Sequence, residues 1–385
     1  MPNPPWPGAA ESGAGLSGSA PRTHHTGLSA NRLRHRPRFL KAGCYDPRVE
    51  LSVSIAELVS DTEQEILRLV SDPDVPTAGL YAMCRYHLGL DGSGSAGKRL
   101  RPLLGLLTYA SIAGDYRKAL PGAAAVELGH NFSLVHDDIE DGDAERRHRP
   151  TLWALYGIPQ AINAGDMLFT LSRKALHRLT DLGYSDTKVL RLMRLHDDTC
   201  LALCEGQYLD IWASERSEPM SVELYFDMIG RKTAALIAAS VEAGAVLATD
   251  DEEVVARYRA FGWALGIAFQ LNDDLLGIWG EQSATGKVPT DVARHKMTLP
   301  VIYAFEHAGP EDRRALEAVW ENQTPDDDQV AGAVALIDKL GGRDYTRDQA
   351  RAYRDRALAE LDAAGVVDAG ALESLRGIIV GVIKA

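Results

Sequence analysis

Asn131-Phe132-Ser133-Leu134-Val135-His136-Asp137-Asp138-Ile139-Glu140-Asp141 joins a mostly apolar run directly to an acidic pentad. On a helix, positions i, i+1 and i+4 place Asp137 and Asp141 on one face with Asp138 close beside them, and like charges at that spacing repel. A hard divalent cation relieves the repulsion. Mg²⁺ suits the spacing, because it keeps part of its water shell and takes one or two carboxylates together with substrate phosphates. An isolated DDxxD is more simply a solvated acidic helix face. Here the apolar residues before it read as a buried helix emerging at a cavity wall. Arg146 and Arg147 follow within one short loop and provide fixed positive charge for phosphate oxygens. A second acidic pair, Asp273-Asp274, lies far downstream with lysines behind it. Two such clusters point to a magnesium-diphosphate site.

The 385 residues, 45% of them apolar, suffice for a large buried core, as one big domain or two ordinary ones. A formal net charge of -13 and a pI near 5.3 argue against extended nucleic-acid binding, which needs a basic face. Any anionic substrate must therefore be met by local lysines, arginines and metal. The four cysteines, Cys44, Cys84, Cys200 and Cys204, complete no zinc pattern and read as core thiols in a reducing compartment. No stretch of about 18 consecutive apolar residues occurs, and the start lacks the apolar segment of a signal peptide. The expectation is a protein without a transmembrane segment, located in the cytoplasm.

Residues 1 to 48 stand apart, with six of the 18 prolines in the first 40 positions, many Gly and Ser, and a basic run from Arg32 to Lys41. This composition predicts a disordered tail, followed by an all-α domain over residues 49–385. From Leu51 onward Ile55, Leu58, Val59, Ile66, Leu69 and Val70 recur at helical steps. Further helices are expected over 98–113, 121–141, 159–180, 185–212, 221–247, 251–279 and 295–308, with several more to the C-terminus. Breakers fall between them, notably at Asp91 to Gly97 and at Gly280 to Pro289, where glycine lets backbone approach an anion closely. No internal repeat is visible, so the chain reads as a helical bundle.

Taken in order, the chain offers Gly97-Lys98-Arg99-Leu100-Arg101-Pro102, then His130, then the pentad with Arg146-Arg147. Next come Gly206-Gln207-Tyr208-Leu209-Asp210, Lys232-Thr233, Phe269-Gln270-Leu271-Asn272-Asp273-Asp274, Gly286-Lys287 and Lys296. The ordered series resembles the trans-isoprenyl diphosphate synthases, from roughly residue 55 to the end. The resemblance implies an all-α fold whose helices surround a deep central cavity, two acidic motifs facing each other across its mouth, and a homodimer. It implies three Mg²⁺ ions per active site, with Asp137 and Asp141 as ligands to two, supported by Asp138, and Asp273, with Asp274, serving the third. Lys98, Arg101, His130 and Arg147 match the family's isopentenyl diphosphate pocket. Arg146, Lys232, Lys287 and Lys296 match positions that grip an allylic diphosphate, with Thr233 and Gln270 near the reacting carbons. The implied reaction condenses isopentenyl diphosphate with an allylic diphosphate.

Three departures from the family pattern stand out. Gly277 replaces the third aspartate of the second motif, which removes an oxygen ligand or an outer acceptor. His148 stands where Gly is usual after the arginine pair, and Ser-Ala-Gly precedes Lys98 in place of Gly-Gly. For product length, Phe132 lies five residues before Asp137 and Ser133 lies four before it. A large residue at the fifth position with a small one at the fourth resembles geranylgeranyl diphosphate synthases, so a C20 product is expected, ahead of C15 and of longer chains. Two other readings stay open. A class I terpene cyclase would ionise one prenyl diphosphate and have no use for Lys98, Arg101 and Arg147, and a weakly active partner subunit would fit the departures from the motif.

Overall fold

Alternating apolar stripes and breakers confined to the joints give the described residues helices of one to about eight turns. The computed structural model describes residues 54–71, 76–92, 97–214, 219–280, 290–322, 324–365 and 368–382. The expected tail over 1–48 and Lys287 lie outside these residues. The helices are α1 (Ile55–Leu69), α2 (Ala78–Leu88), α3 (Leu100–Ala113), α4 (Leu120–Glu140), α5 (Leu152–Tyr156), α6 (Ile158–His177), α7 (Asp186–Ser214) and α8 (Val222–Ile229). They continue with α9 (Ala235–Ala248), α10 (Glu252–Trp279), α11 (Thr290–Ala293), α12 (Leu299–His307), α13 (Pro310–Trp320), α14 (Asp327–Lys339), α15 (Gly342–Ala363) and α16 (Ala369–Val382). Among the described residues the extended structure is one two-residue ribbon, β1 (Glu145–Arg146) against β2 (Arg149–Pro150), antiparallel with Arg146 opposite Arg149. The expected all-α class holds. No helix among the described residues is long and apolar enough to cross a membrane.

The core lies where α3, α4, α9 and α10 pack together, with α6 against α4 and α15 against α10. In α9 burial runs without a break from Leu236 to Leu247, so the helix has no polar stripe and belongs to the interior. The crossing of α3 and α9 is close enough that a Cβ on Gly244 would collide with the carbonyl of Gly105. At the same crossing Ser240 Oγ donates to the carbonyl oxygen of Arg101, in the first turn of α3.

Local differences from the sequence expectation have physical causes. The helix expected from residue 98 starts at Leu100, because Arg99 takes a left-handed conformation (φ 51°). The helix expected over 221–247 is two helices joined by a π turn, Gly230–Ala234. The one expected from 295 begins at Leu299, with Thr298 extended before it and Pro300 in its first turn. Helix α2 was not anticipated. Cys84 and Cys200 are buried as expected of core thiols, whereas Cys204 is exposed on α7, near Asp137 and Glu140 of the first acidic motif.

Gly244→Ala should destabilise the fold by about 1–3 kcal/mol through overpacking, although alanine is the better helix former by ~1 kcal/mol. Urea denaturation of the two proteins measures it; an unchanged midpoint would show that the helices separate freely at this crossing.

Candidate active site

Helix α4 delivers Asp137 and Asp138 in its last turn, and Asp141 caps it. The two neighbours meet different surroundings because adjacent helical residues point about 100° apart. Asp138 is buried and accepts from Arg146 Nε at 2.6 Å, while its second oxygen has no hydrogen-bond partner. Asp137 is half-buried. Loss of water raises its pKa to about 7, although Lys232 works in the opposite direction. Burial also raises Asp141, against the pull of Lys232.

Lys232 and Thr233 come from the π turn. A π turn adds a residue to a helical circuit and is a frequent feature of functional sites. Burial opposes the Lys232 charge, but its ion pair with Asp210 of α7 and the nearby Asp137 and Asp141 hold its pKa above the ordinary value. Thr233 Oγ1 donates to Gln270 Oε1 at 2.8 Å, and Gln270 Nε2 donates to Asp274 Oδ1 at 3.0 Å. The other oxygen of Asp274 accepts from the Tyr225 hydroxyl and from the Leu299 backbone N–H. Asp274 is thus a buried carboxylate whose oxygens are all engaged by protein donors; burial still lifts its pKa to about 7. Asp273, one residue away, is exposed and faces Asp291, Lys296 and Lys98. The two residues of the pair therefore hold different positions, one in the core and one at the surface of the site.

The acidic groups share their cations. Lys232 acts on Asp137 and Asp141, and Lys296 acts on Asp141, Asp273 and Asp291. Arg294 of the turn after α11 reaches Asp143, in the loop after the first motif, at 3.6 Å. The structure thus brings together Asp137, Asp141, Asp210, Lys232, Lys296, Asp273 and Asp291. Asp291 was not anticipated, and no spacing in the sequence singles it out.

A cationic group forms beside them. Arg101 Nη1 donates to His130 Nε2 at 3.0 Å, so the imidazole accepts at that nitrogen. Burial, then Arg101 and Arg147, push His130 well below its ordinary pKa and keep it neutral. His87, also unanticipated, is held neutral with a pKa of about 3 by burial and by Arg147 and Arg146. Arg147 and His148 occupy the two left-handed positions between β1 and β2 (φ 55° and 61°), a type I′ turn. His148 therefore sits where glycine is easiest to accommodate. Arg99, another residue without an expected role, is fully buried and pairs with Glu63 and Glu127.

Phe132 is 7% exposed, and its ring meets Phe169 of α6 edge-on at 5.2 Å, with His136 at 6.0 Å. Ser133 is half-buried and donates to the His130 carbonyl. Among the described residues no three acidic, histidine or cysteine side chains converge tightly enough to hold an ion alone. The donors are nonetheless hard oxygens, partly desolvated and raised in pKa, which fits a cation that draws its remaining ligands from phosphate and water.

The polyprenyl synthetase family profile matches residues 80–337. The chain belongs to the polyprenyl synthetase family. It is a prenyltransferase of the isoprenyl diphosphate synthase type. It is 39% identical over 307 residues to the geranylgeranyl diphosphate synthase of Mycobacterium tuberculosis, covering 77% of this chain and 85% of that protein. It is 38% identical over 300 residues to the (2E,6E)-farnesyl diphosphate synthase of the same organism, covering 75% and 81%. The crystal structure of geranylgeranyl pyrophosphate synthetase from Pyrococcus horikoshii superposes with a TM-score of 0.79 at 32% identity, covering 86% of this chain and 97% of that one.

The raised pKa of Asp137 has a consequence for stability. The folded prenyltransferase keeps a proton that the unfolded chain, with a carboxyl near 3.8, has already released. Stability from this group is complete below pH 4 and is lost as the pH rises through 7. In chelator, Asp137→Asn should therefore be more stable than the wild type at pH 8 and equal to it at pH 4. Denaturation midpoints across that range test this, and parallel pH curves would contradict it.

Proposed function

We propose that this prenyltransferase condenses isopentenyl diphosphate with an allylic diphosphate in a magnesium-dependent reaction and releases a trans-polyprenyl diphosphate of 20 carbons. The observation that carries the reading is the pairing of two differently built anion sites. One is cation-rich, from Arg101 and Arg147 around the neutral His130, with Lys98, which faces Asp273, assigned to it on its sequence position. The other combines Asp137, Asp141 and Asp273 with Lys232 and Lys296. A cyclase that ionises a single diphosphate has no use for the first.

The roles follow from the charges. Asp137, Asp141 and Asp273 are the residues that would hold magnesium, which when bound would neutralise diphosphate and stabilise the charge that develops on it. Arg146, tethered by Asp138, and Lys232, tethered by Asp210, have fixed positions from which to bind the allylic diphosphate. Lys296 joins them, and Lys287 is assigned to the same group on its sequence position. As the allylic C1–O bond breaks, its electron pair leaves with diphosphate and the carbon skeleton becomes an allylic cation. Thr233 and Gln270 offer neutral dipoles rather than a nucleophile, so the cation is not trapped by the protein. The C3–C4 π electrons of isopentenyl diphosphate then form the new C–C bond, and the proton lost from C2 passes to the departing diphosphate. His130, neutral and already accepting from Arg101, has no free lone pair at that nitrogen to take the proton.

Product length rests on Phe132. Its ring is buried one turn before the pentad and backed by Phe169, which supports its role as a floor for the growing chain. The small Ser133 leaves the adjoining position open.

Purified protein incubated with Mg²⁺, labelled isopentenyl diphosphate and C5, C10 or C15 allylic primers should yield a C20 alcohol after dephosphorylation. Products of another length would keep the reaction and discard the ruler, and a hydrocarbon from one primer alone would assign a cyclase. Replacing both Asp137 and Asp141 by Asn should lower turnover by about three orders of magnitude or more; near-normal rates would remove these residues from the metal site. Phe132→Ala should shift the product beyond C20, and an unchanged length would place the floor elsewhere.

A further inference from the structure

The second acidic motif breaks at Gly277, one turn after Asp273 on the same face of α10. That position is not empty space. A Cβ on Gly277 would fall inside contact distance of the Asp291 carboxylate, nearest to Oδ2, with Oδ1 at 3.3 Å. The side chain that position 277 lacks is thus replaced in space by a carboxylate arriving from α11.

Asp291 is held there by its own turn. Lys296 N–H donates to the Asp291 carbonyl at 2.8 Å and His295 N–H to the Val292 carbonyl at 3.0 Å, with His295 left-handed (φ 56°). This is the Schellman pattern that closes a helix. Trp320 Nε1 donates to the His295 carbonyl at 3.2 Å and fastens the turn to α13. Lys296 Nζ lies 3.8 Å from Asp291 Oδ1, so the carboxylate also sits beside a lysine assigned to diphosphate.

We propose that Asp291 stands in for the missing third aspartate: delivered through the gap that Gly277 leaves, its carboxylate completes with Asp273 the acidic edge that holds magnesium against diphosphate. Gly277 is then a fitted position rather than a lost ligand, since any side chain there would displace Asp291. The inference rests on the magnesium-diphosphate reading above and adds a residue to it.

The test follows binding rather than turnover. The full chain is held with inorganic pyrophosphate, Mg²⁺ is titrated, and thermal stabilisation reports the bound complex. Asp273→Asn serves as the reference for the site. Asp291→Asn should raise the Mg²⁺ concentration at half-maximal stabilisation by about tenfold or more, as loss of a residue supporting a metal commonly does. Gly277→Ala retains every ionisable group but pushes the carboxylate aside, and it should move the midpoint in the same direction. Transferring the carboxylate, with Gly277→Asp and Asp291→Gly together, should bring the midpoint back toward the wild-type value. An unchanged midpoint in Asp291→Asn and Gly277→Ala, with a raised one in Asp273→Asn, overturns the proposal and leaves the metal-site reading standing. Unchanged midpoints in all three overturn both.

Discussion

One buried guanidinium holds the cationic half of the site in place. Arg99 is 2% exposed, yet it carries a full charge into the interior, where an unpaired ion costs several kcal/mol. It is met on every side: Glu63 of α1 at 3.2 Å, Glu127 of α4 at 2.8 Å and the Leu88 carbonyl at the end of α2 at 2.6 Å. Three helices are thereby tied to the first residue before α3. Since Arg99 turns inward from a left-handed position, its neighbours Lys98 and Arg101 are placed by the same constraint, and Lys98 remains exposed. Glu127 also accepts from Asn131 Nδ2, and its charge counters the desolvation of both Arg101 and Arg147.

This arrangement explains how a chain of net charge -13 gathers a local group of positive charge. Arg101, Arg146 and Arg147 stand close together without adding the charge of the two histidines among them, because burial keeps His87 and His130 neutral. The acidic half works in the opposite sense. There burial raises the pKa of the carboxylates, which share the positive charge of Lys232 and Lys296.

The long periodic helices and the helical setting of the two aspartate motifs were legible in the sequence, because apolar spacing and the i, i+4 carboxylates survive translation into structure directly. What escaped had no local signature. Helix α2 buries Met83, Cys84 and Leu88 but carries no clean stripe. Arg99 reads as a surface cation unless Glu63 and Glu127 are known to surround it. Asp273 and Asp274 are indistinguishable as letters, and the division between them is made by Tyr225, Gln270 and Leu299, which lie 49, 4 and 25 residues from Asp274. Asp291 became visible only through its proximity to Gly277. For Arg99, Asp274 and Asp291 the deciding partners include residues more than ten positions away in the chain.

The π turn at Gly230–Ala234 bears on how this region tolerates change. A circuit with an additional residue shifts the angular phase of everything after it relative to everything before it. Asp227 and Arg231, which pair with each other, and Lys232 with Thr233 can then occupy different sides of what would otherwise be one continuous rod from Val222 to Ala248. Shortening the segment by one residue would restore ordinary winding and rotate either the outer ion pair or the lysine out of position by roughly 100°. Between α8 and α9, then, length is constrained as tightly as identity: a deletion that left all the functional side chains in the chain would still misdirect them.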